Sequence, residues 1–185
     1  ARTAAVAPGT LHSTVPRISG KAKVQKVLKV STRGWTSGTQ LSYQWFANAH
    51  AIPRATRARV KLSKKMRGKK ITVRVTGTKT GYTTASKMSV AVTVAAGTLT
   101  APVPTVTGSA KVGSTLKATP GIWGPTPMTL KYQWLRNGAA ITGATSASYK
   151  LVASDAGKKI TLSVTGTKVG YTSASKASAA LTIAK

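Results

Sequence analysis

The sequence predicts an all-β protein built as two tandem sandwich domains, with little or no helix and no disulfides. Three observations carry that expectation: the chain repeats itself, its apolar residues alternate with polar ones, and it contains no Cys. Without Cys, each small sandwich must stand on its hydrophobic core alone.

The repeat is the strongest signal. Gly9-Thr10-Leu11 returns as Gly97-Thr98-Leu99 and Trp35 returns as Trp123, about 88 positions on. After a one-residue insertion, Tyr43-Gln44-Trp45 returns as Tyr132-Gln133-Trp134, Val75-Thr76-Gly77-Thr78-Lys79 as Val164-Thr165-Gly166-Thr167-Lys168, and Gly81-Tyr82-Thr83 as Gly170-Tyr171-Thr172. The expected organisation is an N-terminal linker over 1–8, a first domain over 9–96 and a second over 97–185. The small-residue junction Ala95-Ala96-Gly97 is too short for a long flexible linker.

Within a copy, Leu130, Tyr132 and Trp134 alternate with Lys131 and Gln133, the period of a half-buried strand. Asn137-Gly138 is a hairpin turn signal. Ile160, Leu162 and Val164 mark a second strand, matched by Ile71, Val73 and Val75 in the first copy. Short strands between Gly-rich turns indicate a sandwich. The succession Trp123, Tyr132-Gln-Trp-Leu-Arg-Asn-Gly138, Ala153-Ser-Asp-Ala-Gly-Lys-Lys-Ile160, Val-Thr-Gly-Thr-Lys and Gly-Tyr-Thr resembles the Ig-like repeats of secreted actinobacterial proteins. That resemblance implies an Ig-like sandwich without the intersheet disulfide, export to the cell surface, and frequent attachment to an exported enzyme. It implies no catalytic residues. The first copy departs from the pattern, carrying Lys65-Met66-Arg67-Gly68 where the second has Ser154-Asp155-Ala156-Gly157.

Charge is as distinctive as the repeat. The chain has 29 Lys plus Arg against one acid, Asp155, for a formal charge of +28, yet only 16% of residues are charged. Acid deletion, more than base addition, makes it a polycation, and the bases are spread through segments able to form a core. One carboxylate excludes paired-carboxylate catalysis. His12 and His50, with no Cys and no cluster of acids, read as ordinary surface or turn residues rather than metal ligands. No cofactor is expected, and a redox role has least support. Asp155 reads as a turn cap accepting backbone N–H bonds. The Tyr-x-Trp pairs read as core, while Trp35 and Trp123 are open to either burial or a stacking role. No stretch is long and apolar enough for a membrane-spanning helix. The start at Ala1, without Met, suits a processed chain or a piece of a longer one.

The two copies differ in charge. Residues 1–96 carry 19 bases and no acid, while residues 97–185 carry ten bases and Asp155. The excess centres on Arg54, Arg57, Arg59, Lys61, Lys64, Lys65, Arg67, Lys69, Lys70 and Arg74, the candidate anion-binding residues. Arg54, Arg57 and Arg59 replace Gly143, Ser146 and Ser148, while Ala58, Val60 and Leu62 between them stay apolar, so charge is expected outward only. The expected function is that of a secreted, monomeric, non-catalytic module capturing an anionic polymer. Teichoic or teichuronic acid of the cell wall leads, with extracellular nucleic acid and sulfated host glycans as alternatives, and solvation charge as the plainest reading.

Overall fold

Alternation becomes a strand wherever one face can be buried and the other hydrated. The computed structural model describes residues 7–185, so the linker expected over 1–8 falls, for residues 1–6, outside the described residues. The chain folds as two compact units, with the division between Gly97 and Thr98. Unit one contains β1 (Gly9–Thr10), β2 (Arg17–Ser19), β3 (Val27–Ser31), β4 (Gln40–Ala47), β5 (His50–Ala51), β6 (Arg59–Lys61), β7 (Lys70–Thr78), β8 (Tyr82–Thr83), β9 (Ala85–Met88) and β10 (Val92–Thr93). Unit two contains β11 (Thr105–Thr107), β12 (Thr115–Thr119), β13 (Thr129–Arg136), β14 (Ala139–Ala140), β15 (Ser148–Lys150), β16 (Lys159–Thr167), β17 (Ala174–Ala177) and β18 (Leu181–Thr182). Single 3-10 turns at Lys64–Met66 and Ala153–Asp155 precede β7 and β16.

In unit one β2-β3-β6 form one sheet and β10-β7-β4-β5 the facing one, with β9 also pairing with β7, while β1 and β8 make a separate parallel pair. In unit two β11-β12-β15 face β14-β13-β16, whose outer edge is shared by β17 and β18. The chain changes sheet between β3 and β4, between β5 and β6, and between β6 and β7. That Greek-key path, repeated in unit two, makes each unit an Ig-like sandwich without a disulfide.

The core is centred on Trp45 in one unit and Trp134 in the other, both fully buried. Burying an indole of about 200 Å² stabilises by roughly 5 kcal/mol as an upper bound. Its N–H cannot be left unpaired there. Trp45 Nε1 donates to the Arg57 carbonyl at 2.9 Å, and Trp134 Nε1 to the Ser146 carbonyl at 3.0 Å. The preceding Gln serves the same end: Gln44 Nε2 donates to the carbonyls of Trp45 and Ile52, and Gln133 Nε2 to those of Trp134 and Ile141. The Tyr-Gln-Trp repeat is thus a tie between the second sheet and the segment that leaves it for the first. Tyr43 and Tyr132 share the inward face and are half-buried.

The Asn137-Gly138 turn has φ of 47° and 84°, as a two-residue hairpin joining β13 to β14 requires. Asn137 also accepts the Lys159 amide on its side-chain oxygen, and Asn48 does the same for Lys70.

The two remaining Trp are not stacking platforms. Trp123 is buried and donates to the Pro120 carbonyl, and Trp35 is half-buried. Each lies against a glycine of the Val-Thr-Gly-Thr-Lys strand: a Cβ on Gly77 would stand 2.4 Å from Trp35, and one on Gly166 would stand 2.6 Å from Trp123. Real contacts never come that close, so Gly77→Ala and Gly166→Ala should each destabilise by about 1–3 kcal/mol through overpacking. Urea unfolding followed by Trp fluorescence measures this. Gly68→Ala, at a left-handed residue with open space around it, should cost about 1 kcal/mol through backbone strain alone.

Candidate anion-binding surface of the first unit

All ten sequence-picked bases, from Arg54 to Arg74, are exposed. The fold distributes nine of them over three places, and Arg54 sits apart in the turn between β5 and β6. Lys64, Lys65, Arg67 and Lys69 lie in the turn between β6 and β7, at one pole of the sandwich. Arg59 and Lys61 stand outward on β6, with Val60 buried between them. Ala58, grouped with the inward residues by its spacing, is exposed instead, because β6 begins only at Arg59. Arg57 precedes β6 on the same approach. Lys70 and Arg74 belong to the outer face of the opposite sheet, where the Arg74 guanidinium sits 5.3 Å from the centre of the Phe46 ring.

Backbone pairing brings further bases to the pole, from the turn between β2 and β3. The Gln25 amide donates to the Leu62 carbonyl and the Leu62 amide donates to the Lys26 carbonyl. Ala95 pairs with Lys23, and its neighbour Val94 exchanges bonds with Gly68 and Lys69. Lys21, Lys23 and Lys26 therefore sit beside Lys64, Lys65, Arg67 and Lys69. Five of these seven positions are uncharged in unit two, which has Ser109, Ser114, Ala153, Ser154 and Ala156 against Lys21, Lys26, Lys64, Lys65 and Arg67.

From the pole a stripe runs along the outer face of the β2-β3-β6 sheet. Lys29 stands directly opposite Arg59, and Lys61 opposite Val27, while Arg17 pairs with Ser31 one step further on. Directly opposed side chains have Cβ atoms about 5 Å apart, and like charges there are destabilising. Unit two avoids that pairing, opposing Lys117 to Ser148 and Lys150 to Thr115. Counted along β3 from Lys26 to Ser31, the stripe is about 17 Å long. Lys21, Lys26, Arg17 and Lys29 escaped the sequence reading. Comparing the copies position by position beyond the densest run would have flagged Arg17, Lys21 and Lys26, whose counterparts are Thr105, Ser109 and Ser114.

Arg54 is placed at a backbone cost. Its φ is 60°, in a turn closed by the Ala55 amide donating to the Ile52 carbonyl, and unit two puts Gly143 there with φ of 74°. A side chain in that conformation costs about 1 kcal/mol against Gly.

Asp155 is more than a turn cap. It is fully buried, accepting the Val152 amide at 2.8 Å and the Tyr149 hydroxyl at 2.9 Å, and it pairs with Arg136 Nε at 2.6 Å. Desolvation pushes its pKa up, but the bonds from Val152, Arg136 and Tyr149 outweigh it and hold the carboxyl below its ordinary value. The hydrogen bond to Asp155 is the largest influence on Arg136 and raises its pKa; burial, then Asp155, raises that of Tyr149. Unit one replaces all three members together, with Ala47, Val60 and Met66. Among the described residues, no group of three His, Cys, Asp or Glu could hold a metal, and no helix is long and apolar enough to cross a membrane.

The architecture defines the class: tandem Ig-like repeats, two β-sandwiches of one pattern in series. Among solved structures, the chain is similar to the three N-terminal domains of the bacteriophage RB49 Highly Immunogenic Outer Capsid protein (Hoc). The identity is 16%, the TM-score 0.43, and the match covers 91% of this chain and 59% of that one. It is also similar to tandem Ig repeats of Dlar, at 10% identity and a TM-score of 0.24, covering 94% of this chain and 97% of that one. No protein-family model and no curated protein matches the chain.

Because the folded pKa of Asp155 is lowered, the stability it lends is present above the ordinary carboxylate range and lost as pH falls through the folded value. Unit two should therefore weaken below about pH 4. Unit one, which has no side-chain acid, should not. The indole N–H signals of Trp134 and Trp45, followed by NMR from pH 6 to pH 2, report the two separately. Arg136→Ala alone should cost about 3–5 kcal/mol by stranding the buried carboxylate. The triple exchange Arg136→Ala, Tyr149→Val, Asp155→Met should recover most of that loss, as read by urea unfolding.

Proposed function

We propose that the chain is a non-catalytic polyanion-capture module, exported and acting at a bacterial cell surface. Its first unit grips an anionic polymer through the pole and the stripe, and its second unit is a spacer of the same fold. The carrying observation is that bases specific to unit one converge, from segments about forty residues apart, on one continuous surface without a carboxylate. Solvation charge has no reason to converge, to oppose Lys29 to Arg59, or to place Arg54 where the turn favours Gly.

A linear polymer with regularly spaced phosphates or carboxylates suits a stripe of bases presented at intervals of one strand or two residues. Arg offers bidentate contacts and Lys mobile point charges. A wall polymer of the teichoic or teichuronic kind is the favoured ligand, consistent with the resemblance to secreted actinobacterial repeats and with a role in anchoring an attached enzyme. Nucleic acid held through phosphates, or a sulfated glycan, would use the same surface.

Binding should be electrostatic. With about seven phosphates engaged, affinity for a duplex DNA probe should fall by about a thousandfold or more between 50 and 200 mM salt. Retention on purified walls, heparin and DNA at several ionic strengths ranks the ligands, and retention that does not change with salt sinks the proposal. Replacing Lys21, Lys26, Lys64, Lys65 and Arg67 by their unit-two counterparts (K21S, K26S, K64A, K65S, R67A) should lower affinity at least tenfold and leave the unfolding midpoint in place. Arg54→Gly should separate the two effects, weakening retention while raising stability by about 1 kcal/mol.

A further inference from the structure

The outer face of the opposite sheet in unit one carries a second feature that polymer capture does not use. On β7, Lys70, Thr72 and Arg74 point outward in succession. Phe46 of β4 stands opposite Thr72, and Met88 of β9 stands opposite Arg74. With Ala91, these side chains line a cavity of ≈ 540 Å³, within the usual range of small-molecule sites. Asn48 and Ala49 complete the lining, in which the apolar side chains of Phe46 and Met88 lie on the strands either side of β7. The two ends of the cavity are basic, and four residues of strand put them about 13 Å apart at the backbone.

The side chains that build this groove are particular to unit one. Unit two has Leu135, Ser163 and Ala177 at the positions of Phe46, Arg74 and Met88, so three strands each contribute a larger or charged residue to one spot. Phe46 is the only Phe in the chain. Met88 is 45% exposed, an apolar side chain left in water although the equivalent position accepts Ala. The Arg74 guanidinium lies over the Phe46 ring, a cation–π contact that favours one placement of it beside the groove it lines. Unit one offers no side-chain carboxylate to pair with it.

We propose that this groove binds a small organic anion with a planar apolar body, its ring held between Phe46 and Met88 and its acid group on Arg74. Charge complementarity decides the class: apolar walls select a ring or flat hydrocarbon, and basic ends without an internal counter-ion select an acid. The size of the groove suits a small molecule. The site is independent of polymer capture.

Isothermal titration of the full chain at 150 mM salt tests this, with 2-naphthoate as the probe and 2-naphthol as its neutral counterpart. One saturable naphthoate site per chain is expected, with 2-naphthol at least tenfold weaker. Arg74→Ser should cost tenfold or more, and the triple variant F46L/R74S/M88A, which carries the unit-two residues, should show no site. Equal affinity for the two probes, binding unchanged in the triple variant, or many weak equivalents per chain would overturn the proposal. The single exposed substitution R74S keeps the test valid if the triple variant fails to fold. The five-residue pole variant should retain the naphthoate site, so loss of polymer retention and loss of naphthoate binding report on the two readings separately.

Discussion

Each sandwich depends on one buried indole. With no disulfide between the sheets, Trp45 or Trp134 fills the space a crosslink would span, and its N–H must find an acceptor inside the protein. The acceptor is a backbone carbonyl on the segment crossing from β5 to β6, or from β14 to β15. One side chain therefore supplies the central apolar volume and fixes the crossing strand. In unit one that strand carries the outward bases, so the cationic surface is held by the deepest contact in the fold.

The core and the surface answer to different constraints, and the two units show how far they can be separated. Positions facing inward keep their character in both: Leu28 and Leu116, Leu62 and Leu151, Ile71 and Ile160 are all fully buried or nearly so. Outward positions are free to change, and in unit one they change toward Lys and Arg even where geometry argues against it. The costs are small individually, a fraction of a kcal/mol for an opposed like-charged pair and about one for a side chain at a left-handed turn. A marginal domain bears a few of these if its interior is intact.

Much of this was legible in the sequence, because a tandem repeat is a comparison carried within one chain. The repeat marked the strands, the Asn137-Gly138 turn and the outward setting of Arg59 and Lys61. What it missed is nonlocal. Lys26 and Lys64 become neighbours through backbone bonds at Leu62 that no spacing rule announces. Arg74 faces away from the stripe because β7 belongs to the other sheet. Asp155 looked like a local cap since its nearest backbone donor, Val152, is three residues away, while its charged partner Arg136 sits on a strand nineteen residues earlier. The burial of Trp123 follows from the missing side chain at Gly166, a close approach visible only in three dimensions.

The Arg136, Tyr149 and Asp155 cluster and its apolar counterpart have a historical consequence. Arg136 is 29% exposed whereas Asp155 is sealed. A guanidinium that loses its partner can turn to solvent; a sealed carboxylate cannot. Descent from one arrangement to the other by single steps is therefore directional: the acid leaves first when the cluster is dismantled and arrives last when it is assembled. The loss of acids that makes the chain a polycation is thus open along some mutational paths and closed along others.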